Sequence, residues 1–158
     1  MNVIIIEDDE NKRYQLKEFV DDLLPKSKVV VNKSLQSGLR NILEEHFDLI
    51  LLDMTMPTYD IDIEEDGGRT QPLEGRELFF QMERSDIEIP VIVVTQFDRF
   101  GTGRDSLTLK ELDLKLREEH PINYKGYVYY NTALAGWKRD LKNLIRKIIQ
   151  NKESKIDV

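Results

Sequence analysis

Two hydrophobic rhythms alternate along the chain. Predominantly apolar runs fall at 3–6, 29–31, 49–52, 91–95 and 126–130. Between and after them, apolar residues recur at helical spacing: Leu16, Phe19, Val20, Leu23 and Leu24; Leu35, Leu39, Ile42 and Leu43; Leu78, Phe79 and Met82; Leu109, Leu112 and Leu116; and Leu141, Leu144, Ile145, Ile148 and Ile149. Short apolar runs without alternation fit strands covered on both faces, and the three-to-four spacing fits helices that cover them. Pro25 stops the first helix, and Thr108 with Glu111 has capping-box spacing at the start of the fourth, expected over about 106–120. Five strands alternating with five helices predict an α/β fold, a doubly wound five-stranded parallel sheet with helices on both faces.

In such a sheet, ligands bind beyond the carboxyl ends of the strands. The first strand runs into Glu7, Asp8 and Asp9; the third, in FDLILLDMTMP, ends on Asp53; the fourth ends on Thr95. Asp53 either turns the chain before Pro57 or presents a carboxylate at the binding edge. The acid run likewise either favours the dipole of the helix that follows or contributes to a charged site. Acids at the ends of adjacent strands would repel one another, and a hard divalent cation such as Mg²⁺ relieves that repulsion with the oxygen ligands on offer.

The segments VIIIEDDENKR, DLILLDMTMP and IPVIVVTQFD, in this order and each at a strand end, resemble the response-regulator receiver domain. The resemblance covers most of the chain. It implies a flavodoxin-like sheet of order 2-1-3-4-5, with Asp53 as phosphoacceptor. Glu7 stands six residues before Arg13, as the first acid of the family's pair does, so Glu7 and Asp8 take the place of the metal-binding pair and Asp9 is a bystander. Thr55 would give its backbone carbonyl to Mg²⁺ or Mn²⁺, Thr95 the hydroxyl that follows the phosphoryl group, and Tyr127 the aromatic ring that swings inward with it. The resemblance also implies a histidine kinase or phosphotransfer protein as donor, a downstream protein as target, and output or homodimerisation through the face of the fourth helix, fifth strand and fifth helix. Such a protein acts by contact and catalyses at most its own aspartyl phosphorylation and dephosphorylation.

Three features depart from the family. The lysine expected after the fifth strand is replaced by Tyr130, followed by Asn131; Arg99, Arg104 and Lys138 are the cations considered as substitutes. A phenol donates one hydrogen bond and brings no positive charge. The stretch 58–74 is an acidic insertion with six acids against Arg69, expected to form a mobile lid or partner-docking loop; its DIEEDGGRTQPLE run misses calcium-loop register because Glu74 falls one place late. A lengthened fourth-helix region spans about 98–122, where the glycines of DRFGTGRDS are read as flexibility only.

Composition narrows the setting. With 158 residues, the chain suits one domain, expected over 1–158, and the absence of cysteine excludes disulfides and thiolate metal sites. The apolar start is too short for a signal peptide or membrane span, so a cytoplasmic protein without membrane attachment is expected. The net charge of −7 conceals a basic stretch at 137–155, with seven basic residues against Asp140 and Glu153. No aromatic residues interleave these charges, so a solvated helix face is expected and nucleic acid is not an expected partner. His46 and His120 are assigned to helix ends or solvent, Trp137 to anchoring the last helix, and Met54 and Met56 to packing. The function expected is a stand-alone receiver, since no output domain follows Val158; the alternative is a phosphorylation-independent, degenerate receiver-like interaction module. A flavodoxin-like metal-dependent phosphatase is disfavoured by the lack of a second general acid or a phosphate-binding lysine motif.

Overall fold

The computed structural model describes residues 1–55, 74–101 and 103–156. The acidic stretch at 58–74 therefore lies outside the described residues except for Glu74. Five parallel strands form the main sheet: β1 (Asn2–Ile6), β2 (Lys28–Asn32), β3 (Leu49–Leu52), β4 (Val91–Thr95) and, last in the chain, β7 (Tyr124–Tyr129). Their order is β2-β1-β3-β4-β7, the expected doubly wound arrangement. Helices α1 (Glu10–Leu23), α2 (Leu35–Glu44), α3 (Arg76–Arg84), α4 (Leu109–Glu119) and α5 (Gly136–Ile156) alternate with these strands.

The central strands are buried on both faces, which explains why they read as continuous apolar runs. Alternate side chains feed two cores. Ile4, Ile6, Ile50, Leu52, Val91 and Val93 pack with Leu35, Leu78, Phe79 and Leu112 of α2, α3 and α4. Val3, Ile5, Leu49, Leu51, Ile92 and Val94 pack on the other face with Leu16, Val20, Trp137, Leu141 and Ile145 of α1 and α5. Trp137 anchors α5 as expected, 5.5 Å from Phe19 and 5.0 Å from Tyr130 between ring centres. The basic residues Lys138, Arg139, Arg146 and Lys147 of α5 are exposed.

Among the described residues, the segment before α4 carries secondary structure of its own. Residues Arg99–Phe100 (β5) and Leu107–Thr108 (β6) pair as an antiparallel hairpin around a short 3₁₀ turn, Gly103–Asp105. Phe100 is buried in the core, and the Leu109 N–H donates to the Asp98 carbonyl at 2.8 Å, so side-chain burial and backbone pairing together hold the segment. The fourth helix accordingly begins at Leu109, closed by the capping box of Thr108 and Glu111.

His120 ends α4 as its C-cap, in keeping with the helix-end expectation, and it is also buried: its Nδ1 lies 2.5 Å from Glu83 Oε1 and its ring stacks on Phe79 at 4.8 Å. His46 is exposed, 3.2 Å from Asp48, and Met54 is fully buried. No helix among the described residues is long and apolar enough to cross a membrane.

Candidate phosphoacceptor site

The chain passes from β1 to β2 on one side and then to β3 on the other, so the strand order reverses between β1 and β3. The crevice at such a reversal is where doubly wound sheets bind ligands. Register places Ile6 beside Leu52 and Leu52 beside Val93, which brings the residues just beyond these strand ends together. One carboxylate oxygen from each of Glu7, Asp8 and Asp53 lies within 4.8 Å of the others. Glu7 and Asp53 are buried, while Asp8 is half-buried at the rim.

Local bonds hold the acids in place. The Asp53 N–H extends the sheet ladder to the Ile6 carbonyl at 3.0 Å, and the Thr55 N–H donates to Asp53 Oδ1 at 3.3 Å. Arg13 donates from Nη1 to the carbonyls of both Glu7 and Asp8 at 3.1 Å, which gives the six-residue spacing a physical basis: one helical turn into α1, the guanidinium pins the acid-bearing loop. Thr95 is fully buried at the end of β4; its Oγ1 accepts from the Phe97 N–H at 3.1 Å and its carbonyl accepts from the Tyr130 N–H at 2.7 Å. Tyr127 is half-buried against the core on the α2–α4 side, the opposite sheet face from Tyr130.

A cation sits among these carboxylates, and it is Lys12 of α1. Its side chain is wholly buried, with Nζ 2.6 Å from Glu7 Oε2, 3.7 Å from Asp53 Oδ2, and donating to the Val94 carbonyl at 2.7 Å. The Tyr130 ring covers it at 5.8 Å from Nζ to ring centre, and the Tyr130 hydroxyl donates to Gln15 Oε1 at 3.1 Å. Three other cations have different partners: Arg99 pairs with Ser106 across the hairpin, Arg104 is exposed, and Lys138 lies over the Trp137 ring. One signal in the sequence points to Lys12. It lies four and eight residues before Leu16 and Val20, on the stripe that α1 buries, so its long side chain is directed under the helix into the acid cluster.

The electrostatics follow from burial. Desolvation pushes the Glu7 carboxyl up to about 8, with Lys12 pulling it down and Asp53 adding to the rise. Burial raises the Asp53 carboxyl as well, against the pull of Lys12 and the Thr55 N–H. Burial, with the nearby Asp9 and Glu7 carboxylates, also raises the Tyr130 phenol. The site thus pairs two crowded, desolvated acids with one fixed positive charge and leaves Asp8 facing water. Its all-oxygen donor set, with one ligand at the rim, fits a divalent cation that retains waters. A groove of about 850 Å³ lies at the opposite edge of the sheet, among Ile42, Phe47, Pro90, Ile122 and Ile148, away from this chemistry.

Residues 3–111 match the family model of the response regulator receiver domain. An uncharacterized protein, y4jR, from Sinorhizobium fredii is 37% identical over 145 residues, covering 90% of this chain and 95% of its own. The Detocs response regulatory protein DtcB from Enterobacter cloacae is 30% identical over 152 residues, covering 95% of this chain and 99% of its own. Among solved structures, a CheY-like receiver domain protein from Methanospirillum hungatei superposes with a TM-score of 0.66 at 19% identity, covering 98% of this chain and 97% of its own, which agrees in fold. With its strand order, its acids at the β1–β3 reversal and these matches, the chain belongs to the response-regulator receiver domain family, signalling domains of two-component systems.

Proposed function

We propose that this receiver domain accepts a phosphoryl group on Asp53. The observation that carries the proposal is the convergence of Glu7, Asp8 and Asp53 at the strand-order reversal, with a buried lysine beside the acceptor. A carboxylate oxygen of Asp53 attacks phosphorus; a new O–P bond forms as the bond from phosphorus to the donor breaks. From a histidine kinase or phosphotransfer protein, the leaving imidazole takes a proton from solvent; from acetyl phosphate, acetate leaves. Glu7, Asp8, Asp53 and the Thr55 carbonyl would hold Mg²⁺ or Mn²⁺, which neutralises phosphoryl oxygens when bound.

The product, an acyl phosphate at the ends of β3 and β4, adds negative charge near Thr95. The Thr95 Oγ1 accepts from the Phe97 N–H, so its own O–H proton remains to donate to a phosphoryl oxygen and draw the side chain towards Asp53. That movement would alter the loop after β4 and the face of α4, β7 and α5, where Leu114 and Tyr129 are exposed and available to a downstream protein or a second copy of the chain. The Enterobacter cloacae relative, named as a response regulatory protein, supports the same role.

Incubation with acetyl phosphate and Mg²⁺, followed by intact-mass measurement, tests this. A mass gain of one phosphoryl group, absent in Asp53→Asn, is expected. A well-folded wild-type protein that gains no mass from acetyl phosphate or phosphoramidate would favour the phosphorylation-independent module, a role that the internal neutralisation of the acids by Lys12 would also permit.

A further inference from the structure

We infer that Lys12 of α1 is the residue that pairs with the phosphoryl group on Asp53, a task for which the position just after β7 offers only Tyr130. The inference rests on the phosphorylation of Asp53 proposed above and assigns one residue's part in it.

An ammonium has three N–H donors. One goes to the Val94 carbonyl at 2.7 Å, and a second faces Glu7 Oε2 at 2.6 Å. Towards Asp53 the separation is 3.7 Å, longer than a hydrogen bond yet within ion-pair range. The ammonium is therefore anchored on two sides, with slack on the side of the acceptor. A phosphoryl oxygen carried by the Asp53 carboxyl can approach Nζ more closely than the carboxyl oxygen itself does. Water does not compete, because the lysine side chain is wholly buried. Tyr130 closes the pocket from the β7 side: its ring covers Nζ, and its hydroxyl is committed to Gln15 on the same helix. The tyrosine thus occupies the space a lysine on β7 would need, while the charge enters from α1.

This placement has a consequence of its own. Val94 precedes Thr95 in β4, so the cation that meets the phosphoryl group is bonded to the backbone next to the candidate switch hydroxyl. A phosphoryl oxygen that draws Lys12 towards Asp53 pulls on that carbonyl bond, so charge on Asp53 is linked to the end of β4 through a single side chain.

The test compares labelling of wild type, Lys12→Gln and Lys12→Gln/Tyr130→Lys by acetyl phosphate at saturating Mg²⁺, with Mg²⁺ affinity measured separately. Loss of one charge-assisted hydrogen bond should slow labelling of Lys12→Gln by roughly 10- to 100-fold, with Mg²⁺ affinity little changed, and a lysine restored from β7 should recover much of that loss. Labelling of Lys12→Gln at the wild-type rate overturns the role of Lys12 and leaves Asp53 phosphorylation standing; failure of wild type to label overturns both. Because Lys12→Gln leaves buried acids without their cation and can fail to fold, the Nζ resonance of Lys12 in the wild-type protein is followed during addition of beryllofluoride, a phosphoryl mimic. A shift of that resonance with slowed hydrogen exchange supports the pairing, and an unchanged resonance in protein that binds the mimic overturns it.

Discussion

Tyr130 and Lys12 are packed as a pair: the phenol ring lies 5.8 Å from the ammonium, and the two residues are 118 positions apart in the chain, one just after β7 and the other in α1. A position that lacks the expected lysine and a lysine on an apolar helical stripe become one feature once the chain is folded. The pair makes the two positions interdependent.

Removing only the Tyr130 hydroxyl should therefore be mild. Tyr130→Phe loses the bond to Gln15 but keeps the ring over Lys12 and against Trp137, so a loss of about 0.5–1.5 kcal/mol is expected in urea unfolding. Tyr130→Lys in the wild-type background buries a second ammonium beside the first. It should destabilise by more than Tyr130→Phe, and the same substitution should be better tolerated with Lys12→Gln, a non-additivity that a double-mutant cycle measures.

Glu7 predicts an unusual pH dependence. Its carboxyl is raised from 4.5 to about 8 in the folded protein. Between those values the folded state retains a proton that the unfolded chain has released, so stability without divalent cation falls as pH rises through this window. Glu7→Gln should flatten that slope in chemical denaturation at several pH values. A wild-type curve that rises across the same window, unaltered by Glu7→Gln, would contradict the assignment.

Asp8 separates metal binding from folding. It is half-buried at the rim, so its loss should cost little stability. Titration with Mg²⁺ or Mn²⁺ should perturb signals at Glu7, Asp8 and Asp53, and Asp8→Ala should weaken the response by roughly 10-fold or more. No response from folded wild-type protein at millimolar concentrations would rule out the cation site.

Gly126 marks a strained point in β7. The pairing with β4 slips there, Tyr124 opposing Val91 and Gly126 opposing Ile92, and Gly126 has φ of +139°. A Cβ would also stand 3.2 Å from Leu144 of α5. Gly126→Ala should destabilise by about 1–3 kcal/mol, read as a lower unfolding midpoint, and shift signals of Tyr127 and Tyr130 beyond the bulge.

Much of this protein is determined locally. A strand buried on both faces is apolar along its length, so the runs ending at Ile6, Leu52 and Val94 specify strands wherever they pack, and the polar residues that follow them, Glu7, Asp53 and Thr95, are carried to one edge by any doubly wound sheet. The capping box at Thr108 and the anchoring role of Trp137 are legible for similar reasons: one is satisfied within a single helical turn, and the other is a large apolar side chain opposite a polar helix face.

The identity of the cation beside Asp53 was decided by tertiary structure. Arg99, Arg104, Lys138 and Lys12 are equally charged as letters. Lys12 alone of these four has its Cα on a helical stripe that packs over β1, so its stem runs beneath α1, where the carbonyl of Val94 and the carboxylates of Glu7 and Asp53 replace its water. The burial of His120 between Glu83 and Phe79 and the β5–β6 hairpin arise in the same way, from partners 37 and 41 residues distant in the one case and from the burial of Phe100 in the other. Local pattern sets which face of an element is apolar; where a long polar side chain finds its charge and hydrogen-bond partners depends on which elements meet across the sheet, and only the packed chain brings those together.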